Sequence, residues 1–531
     1  MKKFALFAIV LLPILAYALW PLTSDSWDIK WDDKLIAGKQ SYLEEQIPSK
    51  PDAPNVLLII VDDLSLADIS MYSKEAPVKT PHMQQLANEG VRFTNAYVTT
   101  AICSPSRAAI LTGRYPQRFG FEHQMHDRYL RNRMEYFGFK YFIESDPWIP
   151  QEPKPVPTKE AIEMQGVPPS EITLAEALKK SGYSTGLIGK WHVGFADFNQ
   201  PCSMGFDEFY GFNASHSLYA PEGTPGIVDQ KIDDDWTDPY IWSGQRIGPH
   251  AITIDCNPVT EPKYLTFRIA DESIAFMQRH RAHPFFLTAS FNAPHTPLQA
   301  PEEYVEMYAN EPDPVKRVHY AMIKALDDAI GQLLESLENS GLQDETMVFL
   351  ISDNGGAEYN LTTDNGPYRG GKITDFEGGV KVPMIMKWRG HLPGGVDYTY
   401  PVMSLDIFRT VLSATGVPAP QDRIIDGRDL VTSVIDSIPV REQLFWKMGY
   451  NSSVRDLRWK LTWNEEFGDT SLYDLINDPF ESQDLFGSQP EVQQELFAIH
   501  STWAEELPGP AWPSVIHYSA EEDGRRYWFD N

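Results

Sequence analysis

The chain of 531 residues has only three cysteines, Cys103, Cys202 and Cys256, and few basic residues for its acidic ones. Lys and Arg number 45 against 74 Asp and Glu, which gives a formal net charge of −29. This balance argues against a general nucleic-acid binder, because an acidic protein does not attract phosphate over long range. Any anionic substrate would need a strongly local basic site. An odd cysteine count in an exported protein leaves one thiol to be explained.

Long apolar runs are also lacking beyond the N-terminus. There, two lysines precede an apolar run from Phe4 to about Leu15, followed by small residues at 16–18. This layout predicts a secretory signal peptide over residues 1–18 and a periplasmic or secreted protein without stable membrane association after cleavage. An uncleaved N-terminal anchor is the alternative, although the run is short for a transmembrane span.

The remaining composition is that of a large folded protein. Hydrophobic residues make up 42% and aromatic residues 12%, which excludes intrinsic disorder. Changes in pattern along the chain predict a polar leader at 19–53, a catalytic domain at 54–430 and a smaller C-terminal α+β subdomain at 431–531. The length alone allows three to five domains or one large domain with an appendage.

Alternation of apolar strands and helices predicts an α/β fold with a large, mostly parallel sheet flanked by helices. The predicted strands are Asn55–Val61, Tyr183–Ile188, Pro284–Phe291 and Thr346–Ile351. Helices are expected from Pro81 to Gly90, from the capping box at 173–176 to Gly182, and from Val315 to Leu337. Each strand runs into a polar cluster at its carboxyl end, the edge where open α/β sheets bind ligands.

The segment around Cys103 is the most specific motif. Residues 103–107 read Cys-x-Pro-x-Arg, and Gly113 ends the helix that Pro105 begins. Cys103 is therefore expected just before a helix N-terminus, where free N–H groups and the helix dipole favour an anion. Arg107 lies one turn further and can point back towards Cys103. A small buried residue before a capped helix is the alternative interpretation.

Together with the segment at 182–192, which ends Gly-Lys-Trp-His, this motif resembles the signatures of formylglycine-dependent type I sulfatases of the alkaline phosphatase superfamily. The resemblance extends from about Pro54 to Pro383, with weaker similarity at 472–475 and 478–479. It implies an alkaline-phosphatase-like fold and oxidation of Cys103 to formylglycine (3-oxoalanine) by a formylglycine-generating or anaerobic maturation enzyme. Cys202 and Cys256 then remain as a pair for a disulfide in an oxidising compartment.

Three carboxylates and one amide follow two of the predicted strands. They are Asp62, Asp63, Asp353 and Asn354. An all-oxygen set suits a hard cation, although either pair alone is also typical of turn-capping residues. The resemblance implies that they bind one metal ion together with modified Cys103. We expect Ca²⁺, with Mg²⁺ as the alternative, because carboxylate-rich sites with many oxygens suit the larger ion.

Five basic residues complete the predicted catalytic set: Arg107, Lys190, His192, His295 and Lys372. Sulfuryl transfer needs fixed cations and donors around the non-bridging oxygens. Taken singly, Lys190 and His295 are equally typical of ordinary loop residues. Lys372 lies in a glycine-rich segment at 369–379, which allows the backbone to approach a ligand closely.

The resemblance implies a two-step mechanism. One hydroxyl of the hydrated formylglycine, activated by the metal and Asp353, attacks sulfur, while His295 with Lys372 protonates the departing sugar oxygen. His192 then takes a proton from the second hydroxyl, which expels sulfate and restores the aldehyde. A serine lacks the second hydroxyl that this step needs.

Two inserts are expected to shape substrate specificity. From Arg114 to Lys140, six basic residues outnumber three acidic ones among several aromatic residues, a pattern that suits a sulfated sugar chain. The candidate substrate-binding residues are His123, His126, Arg128, Arg131 and Arg133. A solvated surface insert is the alternative. The second insert, at 195–255, is rich in Trp, Tyr, Gly and Pro and is expected to wall the cleft.

The predicted function is that of an exported sulfatase acting on a sulfated polysaccharide or oligosaccharide. An exported acidic enzyme with such inserts resembles bacterial sulfatases that degrade marine polysaccharides, which makes carrageenan the first candidate, with ulvan, fucan and host glycosaminoglycans left open. The alternatives are a phosphodiesterase or phosphonate monoester hydrolase of the same superfamily and a non-catalytic glycan-binding pseudoenzyme.

Overall fold

The computed structural model describes residues 2–27, 29–50, 52–126, 128–143, 145–232 and 237–531, with side chains from residue 11 onward. Its strands are β1 (Asn55–Asp62), β2 (Val91–Phe93), β3 (Ala96–Tyr97), β4 (Trp148–Pro150), β5 (Ser184–Lys190), β6 (Glu208–Phe212), β7 (Ile227–Gln230), β8 (Thr253–Ile254), β9 (Asn257–Pro258), β10 (Phe285–Pro294), β11 (Leu298–Pro301), β12 (Thr346–Ser352), β13 (Met384–Lys387), β14 (Val396–Tyr398), β15 (Val402–Met403), β16 (Leu444–Met448), β17 (Asn451–Arg455), β18 (Trp459–Asn464), β19 (Thr470–Asp474), β20 (Ile516–Glu522) and β21 (Arg525–Asp530).

The helices are α1 (Lys2–Leu19), α2 (Asp33–Glu44), α3 (Pro81–Glu89), α4 (Cys103–Thr112), α5 (Arg133–Phe142), α6 (Lys159–Glu163), α7 (Leu174–Lys179), α8 (Thr237–Ser243), α9 (Leu265–His280), α10 (Glu302–Met307), α11 (Pro314–Asn339), α12 (Glu377–Val380), α13 (Asp406–Thr415), α14 (Leu430–Asp436) and α15 (Pro490–Ala504). In the described part of the chain, no helix combines the length and the apolar character needed to span a bilayer.

A ten-stranded sheet forms the centre of the fold, in the order β14-β2-β13-β12-β1-β10-β5-β6-β8-β9. Its middle strands β12, β1, β10, β5 and β6 run parallel, while β13 and β8 pair with their neighbours in the antiparallel direction. Separate apolar cores cover the two faces, and both β1 and β10 are buried along their whole length. The predicted α/β class with a mostly parallel sheet is therefore confirmed.

The four predicted strands correspond to β1, β5, β10 and β12, and each runs one to three residues further than predicted. The capping box forms as expected, since the Thr173 side chain accepts from the Glu176 N–H and the Glu176 carboxylate from the Thr173 N–H. Thr80 begins α3 but does not cap it with its side chain, which instead lies 3.4 Å from the Ser70 hydroxyl.

The residues after 430 form smaller antiparallel sheets. One contains β16 to β19, and the other joins β20 and β21 to β4 from the first insert. The predicted strand-like stretch from Val454 to Trp463 is divided by a turn at 456–458, where the Asp456 carboxylate accepts the Arg458 and Trp459 N–H groups. The predicted leader is folded as well. Its helix α2 contacts α7 through an ion pair of 2.6 Å between Lys39 and Glu176.

A disulfide joins Cys202 to Cys256, the pair that the sequence left open as a candidate. The bond connects the two ends of the second insert across 54 residues of chain. Cys103 is the free cysteine that remains, and it is buried.

Candidate active site

The polar clusters after the strands meet at the carboxyl edge of the parallel sheet, as the sequence predicts. Asp62 and Asp63 end β1, and Asp353 and Asn354 follow the neighbouring β12. On the other side of β1 lies β10, which pairs with β5, and β5 ends at Lys190. His192 and His295 follow β5 and β10, and all of these side chains are buried.

Cys103 lies at the centre of this edge and is 1% exposed. Its Sγ lies 3.5 Å from Asp62 Oδ1 and 3.9 Å from Asp63 Oδ1. The prediction that Cys103 precedes its helix is wrong by one residue, because α4 begins at Cys103 and Ile102, in extended backbone, is the cap. Gly113 ends α4 in the left-handed conformation with φ of 67°, as predicted.

Each of the three carboxylates faces one cation at short range. Lys190 Nζ lies 2.6 Å from Asp62, Lys372 Nζ lies 2.8 Å from Asp63, and Arg107 Nε lies 2.7 Å from Asp353. Burying six charges is costly unless they pair and hydrogen-bond well. The predicted metal ligands and three of the predicted cations therefore form one connected cluster around Cys103.

Several polar atoms of this cluster have no hydrogen-bond partner among the described residues. They are Arg107 Nη2, Asn354 Oδ1 and His192 Nδ1. Asn354 Nδ2 donates to Asp63 Oδ1 at 2.7 Å and to the carbonyl of Gly355. These two hydrogen bonds fix the orientation of the amide, while its oxygen accepts no hydrogen bond from the described residues. Because buried polar atoms are rarely left unpaired, these positions indicate ligand-binding groups.

The donor set fits a hard divalent cation. Ligand atoms of Asp62, Asp63, Cys103 and His295 all lie within 4.8 Å of one another. Asp353 adjoins them, since its Oδ1 accepts the Asp63 N–H at 3.3 Å. Buried carboxylates and an unpaired amide oxygen are the ligands that Ca²⁺ and Mg²⁺ prefer.

Burial and neighbouring charges shift the pKa of Asp63, Asp353 and Cys103 in this cluster. Burial opposes ionisation of Asp63, yet Lys372 and His295 hold the pKa of its carboxyl well below its ordinary range. Burial and the adjacent Asp62 raise the pKa of Asp353 to about 6. Burial also raises the pKa of the Cys103 thiol far above its usual value, so the thiol is protonated at neutral pH.

Both histidines at this edge are neutral at pH 7 in the described structure. Burial, together with the charge of Lys372, lowers the pKa of His295 to about 3. Burial and the nearby Lys190 lower the pKa of His192 well below its ordinary value. His295 Nδ1 lies 2.5 Å from the Thr296 carbonyl, so Nδ1 donates there and Nε2 faces Asp63 at 3.7 Å.

Backbone strain concentrates at the same place. Asp63, His192 and Ile373 adopt left-handed φ values of 61°, 56° and 81°, which non-glycine residues rarely take. A Cβ at Gly355 would lie 1.8 Å from the Gly378 carbonyl oxygen, so the loop after β12 and the glycine-rich loop require glycine at their contact. Such strain is characteristic of functional sites and leaves no mark in the sequence pattern.

The sequence analysis missed part of the site wall. Strand β6 lies beside β5, and the segment after it carries His216, whose Nε2 is buried without a hydrogen-bond partner among the described residues. Tyr219, further along, donates its hydroxyl proton to the carbonyls of Asn292 at 2.6 Å or His295 at 2.8 Å. His216 could have been found from the sequence, because it follows a strand of the sheet just as the residues around Lys190 do.

The predicted substrate-binding residues of the first insert form two groups, the two histidines and the three arginines. His123 is buried, and the backbone N–H of His126 donates to Gln165 Oε1 at 2.9 Å. The charged groups of Arg128 and Arg131 face the Glu135 carboxylate, Arg128 at 3.8 Å. The Arg133 guanidinium lies 4.3 Å from the ring centre of Tyr17 in α1.

The insert also touches the catalytic helix. The Met125 N–H donates to the Ser104 hydroxyl at 3.3 Å, directly beside Cys103. The start of the insert therefore lies near the cluster, whereas its arginines contact acidic and aromatic groups of the insert and the N-terminal segment.

Comparison with known proteins agrees with this geometry. The sequence profile of the family described as Sulfatase matches residues 54–417. N-acetylgalactosamine-6-sulfatase of Rattus norvegicus is 32% identical over 405 residues, covering 75% of this chain and 69% of the relative. Steryl-sulfatase of the same organism is 31% identical, covering 80% and 78%.

Among solved structures, Ps i-CgsB superposes with a TM-score of 0.73 at 27% identity and covers 87% of this chain and 94% of its own. Its complex with k-i-k-neocarrahexaose gives the same TM-score at 26% identity. The profile spans most of the chain, and the predicted resemblance to sulfatases is confirmed. The chain belongs to the sulfatase family and is a sulfuric ester hydrolase.

Proposed function

We propose that this sulfatase removes sulfate esters from a sulfated galactan of the carrageenan type, using a formylglycine at position 103 and one bound Ca²⁺. The observation that carries the proposal is the buried cluster around Cys103, in which three carboxylates pair with three cations. Arg107 Nη2 and Asn354 Oδ1 remain unpaired there. A site of this kind can hold a cation and a sulfate group side by side.

Asp62, Asp63, Asp353 and Asn354 would hold the cation. When bound, a divalent cation polarises a sulfate oxygen and stabilises negative charge during transfer. We favour Ca²⁺ over Mg²⁺ because the site offers several carboxylate oxygens and a carbonyl oxygen. The short contact of Lys372 with Asp63 keeps that carboxylate ionised, which metal binding requires, and Lys190 lies 2.6 Å from Asp62.

Cys103 is proposed to be a precursor and not a thiolate nucleophile. Burial raises the pKa of its thiol, and a protonated thiol is a poor nucleophile. Once oxidised and hydrated, the residue would supply a hydroxyl group as the nucleophile. Since Cys103 is 1% exposed, a maturation enzyme has to reach it before the chain folds.

The remaining residues bind the sulfate and move protons. The Lys190 and Lys372 ammonium groups and the Arg107 guanidinium provide fixed positive charge for the non-bridging oxygens. His295 presents Nε2 to the site. It is neutral in the free site, so it would deliver a proton to the departing sugar oxygen, together with Lys372, only after the bound sulfate group has favoured protonation of Nε2. His192, whose Nδ1 is unpaired, is placed to accept a proton from the hydroxyl group at position 103.

A carrageenan-type substrate is supported by the complex of Ps i-CgsB with k-i-k-neocarrahexaose, a carrageenan oligosaccharide. Such a polymer lies outside the cell, which agrees with the proposed signal peptide over residues 1–18 and a periplasmic or secreted enzyme. The domain limits predicted above, 54–430 and 431–531, remain part of this proposal. The candidate substrate contacts are His216 in the site wall and His123 and His126 in the first insert.

Sulfate release from a glycan panel tests the substrate. The panel contains carrageenan, ulvan, fucan and glycosaminoglycan oligosaccharides, with phosphate monoesters and diesters beside them. We expect the highest kcat/KM on carrageenan oligosaccharides and slower turnover of every phosphate ester. Activity confined to small aryl sulfates would contradict the polysaccharide proposal, and faster phosphate hydrolysis would contradict sulfatase specificity. The Cys103→Ser protein, prepared identically, controls for contaminating sulfatases.

A further inference from the structure

A cavity of about 290 Å³ lies apart from the cluster around Cys103. It is lined by four parts of the chain: the leader, the first insert, the segment that follows this insert, and the C-terminal region. The lining residues that matter here are Trp27, Glu122, His123, Lys154, Lys447 and Tyr450. None of the predicted metal ligands or catalytic residues lines it.

The floor of the cavity is polar and incompletely satisfied. Glu122 and His123 are 1% and 2% exposed. Glu122 Oε1 accepts the Gly449 N–H at 2.7 Å, but Glu122 Oε2 and His123 Nδ1 have no partner among the described residues. Buried polar atoms beside a roomy cavity call for water or a ligand.

The rim carries two lysines with donors to spare. Lys447 Nζ donates to the Gly449 carbonyl at 2.7 Å and lies 3.4 Å from Glu122. Lys154 Nζ donates to the Gln151 side chain and has no carboxylate within 4.0 Å among the described residues. Partial burial lowers the pKa of Lys154, although Asp530 acts in the other direction. An ammonium has three donors, so each lysine can bind a further acceptor.

Asp530 and Glu122 are the opposing charges in this cavity. Asp530 Oδ1 accepts from Gln151 Nε2 at 2.6 Å and from the Ser514 hydroxyl. Glu122 lies 3.4 Å from Lys447, whereas Lys154 has no carboxylate within ion-pair distance among the described residues and presents its positive charge to the cavity.

Two aromatic side chains complete the rim, both partly exposed and both fixed at their polar ends. The Trp27 indole N–H donates to the Pro155 carbonyl at 3.0 Å, and the Tyr450 hydroxyl lies 2.6 Å from His517 Nδ1. Fixed aromatic rings beside cations and an acceptor carboxylate suit a charged sugar. The volume of about 290 Å³ is far more than water molecules at the two unsatisfied atoms need.

The chain links this cavity to the catalytic centre. Two residues beyond His123, the Met125 N–H donates to Ser104 next to Cys103. Two extended residues span at most about 7 Å, so one oligosaccharide can reach both places.

We propose that this cavity is a second subsite that binds a sulfated sugar unit of the same glycan chain, distant from the sulfate being removed. Lys154 and Lys447 contact its sulfate, Glu122 accepts from a sugar hydroxyl, and Trp27 and Tyr450 pack against the ring. The inference rests on the proposed glycan substrate.

Binding to the inactive full-length Cys103→Ser protein tests the inference. Isothermal titration calorimetry measures the binding of a carrageenan hexasaccharide and of a sulfated galactose monosaccharide. Both are titrated into the Cys103→Ser protein and into the same protein that also carries Lys154→Met or Lys447→Met. We expect each substitution to raise the dissociation constant of the hexasaccharide roughly 10-fold, which corresponds to about 1.4 kcal/mol. Binding of the monosaccharide at the catalytic centre should stay unaltered. Lys159→Met is the matched control, since this lysine forms an exposed ion pair with Glu163 at 3.5 Å.

Hexasaccharide affinity that stays within twofold of the parent in both lysine variants would overturn the second subsite. The same titrations with glycosaminoglycan and fucan hexasaccharides separate this inference from the substrate proposal. Lys154-dependent binding of one of those chains, with no desulfation of carrageenan, would support the subsite and overturn the carrageenan assignment. Absence of binding by every hexasaccharide would overturn the subsite, and thermal unfolding confirms that each variant is folded.

Discussion

Two buried charge clusters lie in this protein, and they are built from the same residue types. The first surrounds Cys103. The second joins the catalytic domain to the C-terminal sheet, where Lys460 Nζ lies 3.0 Å from Glu377 and 2.9 Å from Glu481. The Tyr97 hydroxyl donates to Glu377 at 2.7 Å, and the Glu377 N–H donates to Glu481 at 2.6 Å.

The clusters differ in their buried polar atoms that lack a partner. Both oxygens of Glu377 have partners, and Lys460 is held between two carboxylates from different segments, with Glu481 Oε1 in an ion pair of 2.9 Å but without a hydrogen bond. Around Cys103, in contrast, Asn354 Oδ1 and His192 Nδ1 have no hydrogen-bond partner in the described chain, and Arg107 Nη2 has only a longer ion pair of 3.8 Å with Asp62. A buried charge network whose members pair with one another stabilises the packing of α12 against the C-terminal sheet, whereas converging unpaired atoms are available to a ligand.

Replacing Cys103 by Ser has the largest expected effect on activity. Serine cannot form the aldehyde hydrate, so we expect turnover of sulfate esters to fall by at least about 10³-fold, measured as released sulfate over many turnovers. The thermal unfolding temperature should stay unchanged, because Ser fits the position of a buried cysteine that makes only weak thiol contacts. Near-normal turnover by this variant would contradict the proposed chemistry.

The opposite outcome is expected from Lys460→Met in the second cluster. The substitution leaves Glu481 buried without its cation and Glu377 with Lys381 at 3.8 Å, which costs about 3–5 kcal/mol of unfolding free energy. Urea denaturation measures the loss. Lys159→Met, at an exposed pair, should cost less than about 1 kcal/mol. Equal stability of the two variants would remove the distinction between the clusters.

Calcium should stabilise the first cluster and leave the second unaffected. Free Ca²⁺ at 100 times its dissociation constant should raise the unfolding free energy by about 2.7 kcal/mol relative to chelator-treated protein. Asp63→Asn should abolish most of this increase, because it removes a charged ligand. An unfolding temperature that is indifferent to Ca²⁺ and Mg²⁺ in the unmodified protein would contradict the metal site.

Another acid, the half-buried Glu358, sharpens the comparison because it forms no ion pair in the described chain. Burial, with the nearby Glu522, raises the pKa of Glu358 to about 8. An acid whose pKa is higher in the folded state stabilises at low pH, so stability should fall as pH rises from about 4.5 to 8.

Glu358→Gln should remove a pH dependence on the order of 1 kcal/mol across that interval. Urea denaturation at both ends of the interval measures it, and an unaltered slope in the variant would show that Glu358 ionises freely in the folded protein.

The sequence predicted the fold and the centre of the site because both depend on local signals. Buried strands such as Asn55–Asp62 are continuous apolar runs, and parallel strands bring their carboxyl ends to one edge. The Cys-x-Pro-x-Arg motif then marked Cys103 and Arg107. The pairing of Cys202 with Cys256 was expected once the sulfatase resemblance set Cys103 apart, and it is present.

Features that depend on distant parts of the chain were not predictable. The contacts of the Lys460 cluster join residues up to 280 positions apart, as between Tyr97 and Glu377, and no local pattern links them. The same holds for the left-handed backbone of Asp63 and His192. His216 was missed because its strand, Glu208–Phe212, is short and lies within the second insert.

Mass spectrometry of the peptide that carries Cys103, taken from protein made in its native host, tests the central claim most directly. Conversion of the thiol to formylglycine replaces sulfur by a carbonyl oxygen and lowers the peptide mass by about 18 Da. We predict the lighter peptide, with Cys202 and Cys256 still joined. A peptide carrying only the unmodified thiol, from protein that releases sulfate at full rate, would contradict the proposed mechanism.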